Sequence, residues 1–221
     1  MKPEIMLEII YTVVAFGATA IGMFKYFREK SPLFIQMVVC MLGCRFFNGL
    51  LDLLLVRNNV NMDSFTVSSL VQFAQFLFLI CANIGPLDHL CDDGSRANRK
   101  YRIIAIVIPV LIYGIMICYT IYDEFSRTDY LILLIPVLVP LYSLYYHIKH
   151  LIIPDVKGGI VRSIRPYNAI CILNCFALFM EYTFEFGSIF WYASITVGIF
   201  VSAAILPVLS HGVKKWSARC N

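Results

Sequence analysis

Charge is scarce in this chain. Only 14% of its 221 residues are Asp, Glu, Lys or Arg, where a water-soluble domain carries about a quarter. With 60% hydrophobic residues and a mean hydropathy of +0.77, the composition is that of a membrane protein. Further absences narrow the class. There is no Walker-type or GxGxxG loop, so no nucleotide-binding module and no dinucleotide cofactor is expected. The longest connections between apolar runs span 87–102 and 153–165, too short for a second domain, so 1–221 reads as one membrane domain. Residues 188–211 contain no lysine, which excludes a retinal Schiff base in the last run. The net charge of +4 is spread among separate connections rather than gathered into one basic stripe, which argues against nucleic acid as a partner.

What the chain does have is seven apolar runs, at 5–26, 33–56, 65–86, 103–122, 130–152, 166–187 and 188–211. Each approaches the roughly 20 residues that a helix needs to cross a hydrocarbon core of about 30 Å. The fold class expected is an all-α integral membrane protein, a seven-transmembrane-helix bundle. Its orientation follows from the cations: Lys25, Arg28 and Lys30, then Arg96, Arg99, Lys100 and Arg102, then Lys149, Lys157, Arg162 and Arg165, and finally Lys214, Lys215 and Arg219 fall in alternate gaps and the tail. The opposite side has only Lys2, Arg57 and Arg127. Because Lys and Arg are retained on the cytoplasmic side, the N-terminus is expected outside and the C-terminus in the cytosol, with the plasma membrane as the expected location. The first run has Glu4 and Glu8 at its start and its cations after it, the reverse of a cleavable signal peptide. The last crossing depends on a tight turn at Gly187 and Ser188.

Polar residues at membrane depth mark where chemistry is expected, because each is costly there unless paired, hydrated or used. Counting from Pro32 at about 1.5 Å per residue, Arg45 lies roughly 20 Å into the second run, and Arg45, Asn48 and Asp52 share one helical face. By the same count from Pro166, Glu181 lies at about 22 Å, with Glu185 one turn beyond and Asn174 on the same face. Ser69, Gln72 and Gln75 follow one another at i+3 in the third run. Three helices thus offer polar faces in the outer half. Together they predict a ligand-binding cavity formed by Arg45, Asn48, Asp52, Gln72, Gln75, Glu181 and Glu185. Arg45 and Glu181 are expected to pair as a gate or coupling pair, with a purely structural bridge as the alternative, and Asp52 or Glu185 to receive a cationic solute or a proton. The alternative for Asp52 and Glu185 is a wet headgroup position that only ends a helix.

A possible internal repeat of three spans, one linker and three spans accompanies this layer. Ser31-Pro32 and Arg165-Pro166 open the second and sixth runs, and each is followed by a cysteine pair, Cys40 with Cys44 and Cys171 with Cys175, and then by the intramembrane charge. Two such units in the same orientation would be related by an axis along the membrane normal. The three-one-three plan is similar to that of SWEET sugar transporters and of the related KDEL receptor, a similarity of topology; the PQ dipeptide of the wider superfamily does not occur here.

The four histidines, His89, His147, His150 and His211, all fall near cytosolic helix ends, where Asp88, Cys91 or Asp92 could join them around zinc. An intramembrane metallohydrolase is the reading this would support, set against interfacial histidines that bind no metal. Cys and Met pairs could hold Cu(I) but equally pack as apolar residues, so no cofactor is assigned. Prolines at 109, 136, 140 and 207 loosen their helices and could serve as hinges. Ala18 with Gly22 and Gly198 with Ser202 give close-packing stripes inside the bundle, or between copies in a homo-oligomer. Phe184, Phe186, Phe190, Trp191 and Tyr192 suggest an outer aromatic belt or, as the alternative, a lining of the cavity mouth. The function expected is a small carrier for a polar or cationic solute. A ligand sensor that signals to a protein partner through its basic inner loops is the alternative.

Overall fold

The computed structural model describes residues 3–27, 31–58, 67–122, 127–155, 159–184 and 187–220. Helices account for nearly all of them, and no strand occurs among the described residues. The order is α1 (Pro3–Tyr26), α2 (Leu33–Arg57), α3 (Val67–Ala82), α4 (Asp88–Cys91), α5 (Arg99–Tyr122), α6 (Arg127–Ile152), α7 (Val161–Thr183) and α8 (Ile189–Cys220). By length and composition, four of the described helices can cross a membrane: α1, α2, α7 and α8.

Local chemistry sets the boundaries. Proline at position 32 cannot continue a helix toward its N-terminus, and its carbonyl accepts the Ile35 N–H at 3.0 Å as α2 begins. At the other end of α2 the Asn58 side chain turns back to the Leu54 carbonyl at 2.7 Å. A π-helical segment, Asn83–Leu87, joins α3 to α4. Pro86 has no N–H to give to the helix ladder, and the wider π turn absorbs the missing bond. The Asn83 amide adds a bond to the Leu79 carbonyl there, at 2.7 Å. Gly187 takes a positive φ of 80°, a conformation open to glycine at little cost. Ser188 then caps α8 by accepting the Trp191 N–H on its hydroxyl, which is the turn expected at this position.

Six helices close into a ring in the order α1, α2, α3, α6, α7, α8 and back to α1, while α5 lies against α6 on the outside. One half of the ring is filled by apolar side chains, among them Val38, Leu42, Phe76, Leu79, Leu144, Ile164, Tyr167, Ile205 and Leu209. These sit toward the end that carries Lys25, Lys149, Arg165 and Lys214. Truncating a fully buried leucine such as Leu42 or Leu144 to alanine would cost about 2–5 kcal/mol. Toward the opposite end the apolar core shrinks to Tyr11, Trp191 and Ile195. Polar side chains take up the remaining interior.

Two expectations change here. The tail after His211 is helical, because α8 continues to Cys220 with Val213 and Trp216 packed on the core and Lys214 and Lys215 exposed. Trp191 turns inward against Tyr11 and is 3% exposed rather than part of an outer belt. Tyr192 donates to Glu4 at 2.7 Å and ties α8 to α1, and Phe184 stacks on Phe190.

Candidate functional site

The polar layer lies between α1, α2, α3, α7 and α8. Arg45, Gln72, Gln75, Asn174 and Glu181 line one pocket together with Tyr11, Ser194 and Gly198. Arg45 and Gln75 reach it from α2 and α3, Asn174 and Glu181 from α7, so three faces read from the sequence do converge. The space open to the centre of a water molecule is about 10 Å³, room for about one water. The site is therefore closed around its own side chains.

Arg45 is 4% exposed and does not pair directly with Glu181: the Lys and Arg ion pairs among the described residues are Arg102–Asp92, Lys149–Asp88 and Lys149–Asp92. Its Nε donates instead to the Tyr11 hydroxyl at 3.2 Å, with the guanidinium 5.5 Å from the centre of the same ring. Tyr11 can sit there because glycines flank it. A Cβ on Gly49 of α2 would stand 2.9 Å from its Cδ1, and a Cβ on Gly198 of α8 would stand 2.9 Å from its Cε2. The Glu181 carboxylate accepts a hydrogen bond from Gln72 and feels the charge of Arg45 without touching it.

Asn48 and Asp52 are buried beside the pocket and do not line it. Asn48 donates to Asp52 at 2.8 Å, and Ser68 donates to the same carboxylate, which ties α2 to α3. Asp52 is thus not a wet headgroup residue, and its oxygens are engaged by protein donors. Glu185 and the side chain of Ser69 lie outside the described residues. A third acid joins Asp52 and Glu181. Glu8 of α1 is 2% exposed and lies near enough to Asp52 and Glu181 for their charges to interact. Three carboxyls and one guanidinium thus share a buried layer.

Several polar atoms in this layer have no partner among the described residues: Arg45 Nη1, Gln75 Oε1, both amide atoms of Asn174, and Glu8 Oε2. Orphaned polar atoms in an interior are costly, on the order of 1–3 kcal/mol each, and those of Arg45, Gln75 and Asn174 belong to residues that line the one pocket.

The histidine layer at the basic end is organised differently. His147 lies 2.9 Å from the Asn168 Oδ1 and edge-on to Tyr167, His150 Nε2 lies 2.9 Å from Asp88 Oδ1, and His89 and His211 are exposed. Among the described residues no three His, Cys, Asp or Glu side chains come together as a metal-holding group. Burial pushes the Cys91 thiol up to about 12, so it stays protonated and a poor ligand. Burial would raise the Asp88 carboxyl, but hydrogen bonds from His150 and Lys149 outweigh it and hold it below the usual range. The seven cysteines whose side chains are described are free. Cys175 donates to the Pro140 carbonyl at 3.7 Å, packing α7 on α6.

Comparison with protein-family models, curated proteins and solved structures finds no match to this chain.

Proposed function

We propose that the chain is a seven-span membrane carrier, N-terminus outside and C-terminus in the cytosol of the plasma membrane, for a small solute bearing a positive group. The observation that carries this reading is the pocket in which Arg45, Gln75 and Asn174 present unsatisfied polar atoms beside Glu181. Glu8, Asp52 and Glu181 exceed Arg45 in charge when ionised, so a cationic guest or a proton offsets the surplus. The apolar packing toward the basic end supports a site reached from the other side. The ring order supports two three-helix halves, α1 to α3 and α6 to α8, that would rock about the polar layer with α5 as the linker.

Because the pocket holds about one water, solute entry requires the halves to part. Arg45 releases or keeps Tyr11 as they do, and Gln72, Gln75 and Asn174 supply neutral hydrogen bonds to the guest. Asn48 and Asp52 support α2 against α3. The test is accumulation of labelled small amines, amino acids and polyols in proteoliposomes under proton, sodium and solute gradients. Uptake of a cationic member that falls at least about tenfold in Glu181→Gln is expected, as loss of a charged contact implies.

One observation favours a sensor as the second reading. At 32 residues α8 is about 48 Å long, longer than a hydrocarbon core, and its last turns carry exposed Lys214 and Lys215 where a partner protein could dock. Solute binding without flux under any gradient would select that reading and overturn the carrier.

A further inference from the structure

A second, larger cavity lies on the outer wall of the ring, between α5 and α6, away from the polar layer. It has a volume of about 510 Å³, within the range of pockets that hold small ligands. Its apolar wall is open to the surroundings of the bundle: Ile106, Val110 and Leu138 are 50%, 61% and 49% exposed. In a membrane-spanning chain those surroundings are lipid.

The basic end of the cavity is capped by polar groups that are already neutralised. Lys149 is 3% exposed, forms ion pairs with Asp88 and, at 3.7 Å, with Asp92, and lies over the rings of Tyr145 and Tyr146 at 5.4 and 5.0 Å. Arg102 neutralises Asp92 in turn at 3.2 Å. With two cations and two carboxylates matched, the cap has no spare charge for a phosphate or an ammonium headgroup. It does have hydroxyls: those of Tyr142 and Tyr146 are hydrogen-bonded to each other at 3.2 Å at the cavity edge, and either can be the donor. An uncharged, hydroxyl-headed guest fits this cap.

The shape of the guest follows from the wall. A half-open groove covers a ligand on one side only, so a rigid body that loses little conformational freedom is favoured over two flexible acyl chains. Leu141, Tyr145 and Lys149, at i, i+4 and i+8, lie on one face of α6 and all line the cavity. This Leu-Tyr-Lys order is a weak pattern for sterol contact when read alone. Here the three side chains meet one groove of suitable size. We propose that the α5–α6 groove binds a membrane lipid of the sterol class, with a rigid polycyclic body along Ile106, Val110 and Leu138 and its hydroxyl at Tyr142 and Tyr146.

The experiment uses the purified full chain in phosphatidylcholine vesicles with a photoreactive, clickable sterol, followed by peptide mapping of the adduct. Labelling concentrated in α5 and α6 and competed by unlabelled sterol is expected. Leu138→Trp and Val110→Trp, at exposed positions where a larger side chain displaces no buried neighbour, fill the groove and should each lower labelling by about tenfold with helix content and melting temperature unchanged. Competition by diacylglycerol or phosphatidylserine as strong as by sterol would overturn the proposal, as would labelling spread evenly over all lipid-facing helices. Full labelling of both tryptophan variants would overturn it as well.

Discussion

Arg45 touches Tyr11 and lies in the field of Glu181, so removing its charge acts on two helices at once. Tyr11→Phe takes away the hydroxyl that accepts from Arg45 and should cost about 1.5–3 kcal/mol, read as a lower unfolding midpoint in detergent. Arg45→Gln leaves the carboxyls without their cation. Combining it with Glu181→Gln should recover part of that loss, with an interaction energy of about 0.5–3 kcal/mol in a double-mutant cycle. Strict additivity would mean that the two side chains do not share a site. Asp88 gives a pH prediction outside the membrane. Its folded pKa lies below the ordinary 3.8, so its contribution is present above that value and is lost as pH falls through the folded value. Melting curves should therefore show wild-type stability falling below about pH 4, with that component absent in Asp88→Asn. The sequence made Arg45, Gln72, Gln75 and Glu181 legible because charge and amide groups stand out in apolar runs. Glu8 and Tyr11 were missed: Glu8 was read only as an acidic start to a helix. Yet Glu8, Thr12, Ala15 and Gly22 follow one helical stripe, and all are buried.

Helices show where apolar length is a poor guide to an element. The run at 188–211 stops where lysines begin, but α8 goes on because Val213 and Trp216 keep the core-facing period while the charges point out. The third run continues through the π segment to Cys91 for a similar reason, with Leu87 and Cys91 buried. Close helix approach is carried by glycine, as the small-residue stripes suggested, and it lies inside the bundle: a Cβ on Gly22 would stand 2.8 Å from Val39 Cγ2 and 3.1 Å from Leu206 Cδ2. Gly198→Ala should push Tyr11 away from its place beside Arg45 and destabilise by about 1–3 kcal/mol. Gly17→Ala faces open space and should be neutral or stabilising by up to about 1 kcal/mol, from helix propensity. Thermal unfolding of the two variants side by side checks both values.

At the scale of the molecule, Lys25, Lys149, Arg165 and Lys214 lie toward one end of the ring. Polar side chains occupy one half of the ring and apolar side chains the other. Composition and spacing could not show that the polar half is nearly closed, because closure depends on how Tyr11 wedges between two glycines of distant helices. We propose that this layer is a solute site entered from the side opposite the basic connections. Single-cysteine labelling tests it most directly: Asn174→Cys and Ser194→Cys, in a background without the native cysteines, are exposed to a membrane-impermeant thiol reagent from each side of oriented vesicles. Both cysteines are expected to react from the side opposite the basic connections, more slowly in the presence of the transported solute. Modification only from the basic side, or from neither, would contradict it.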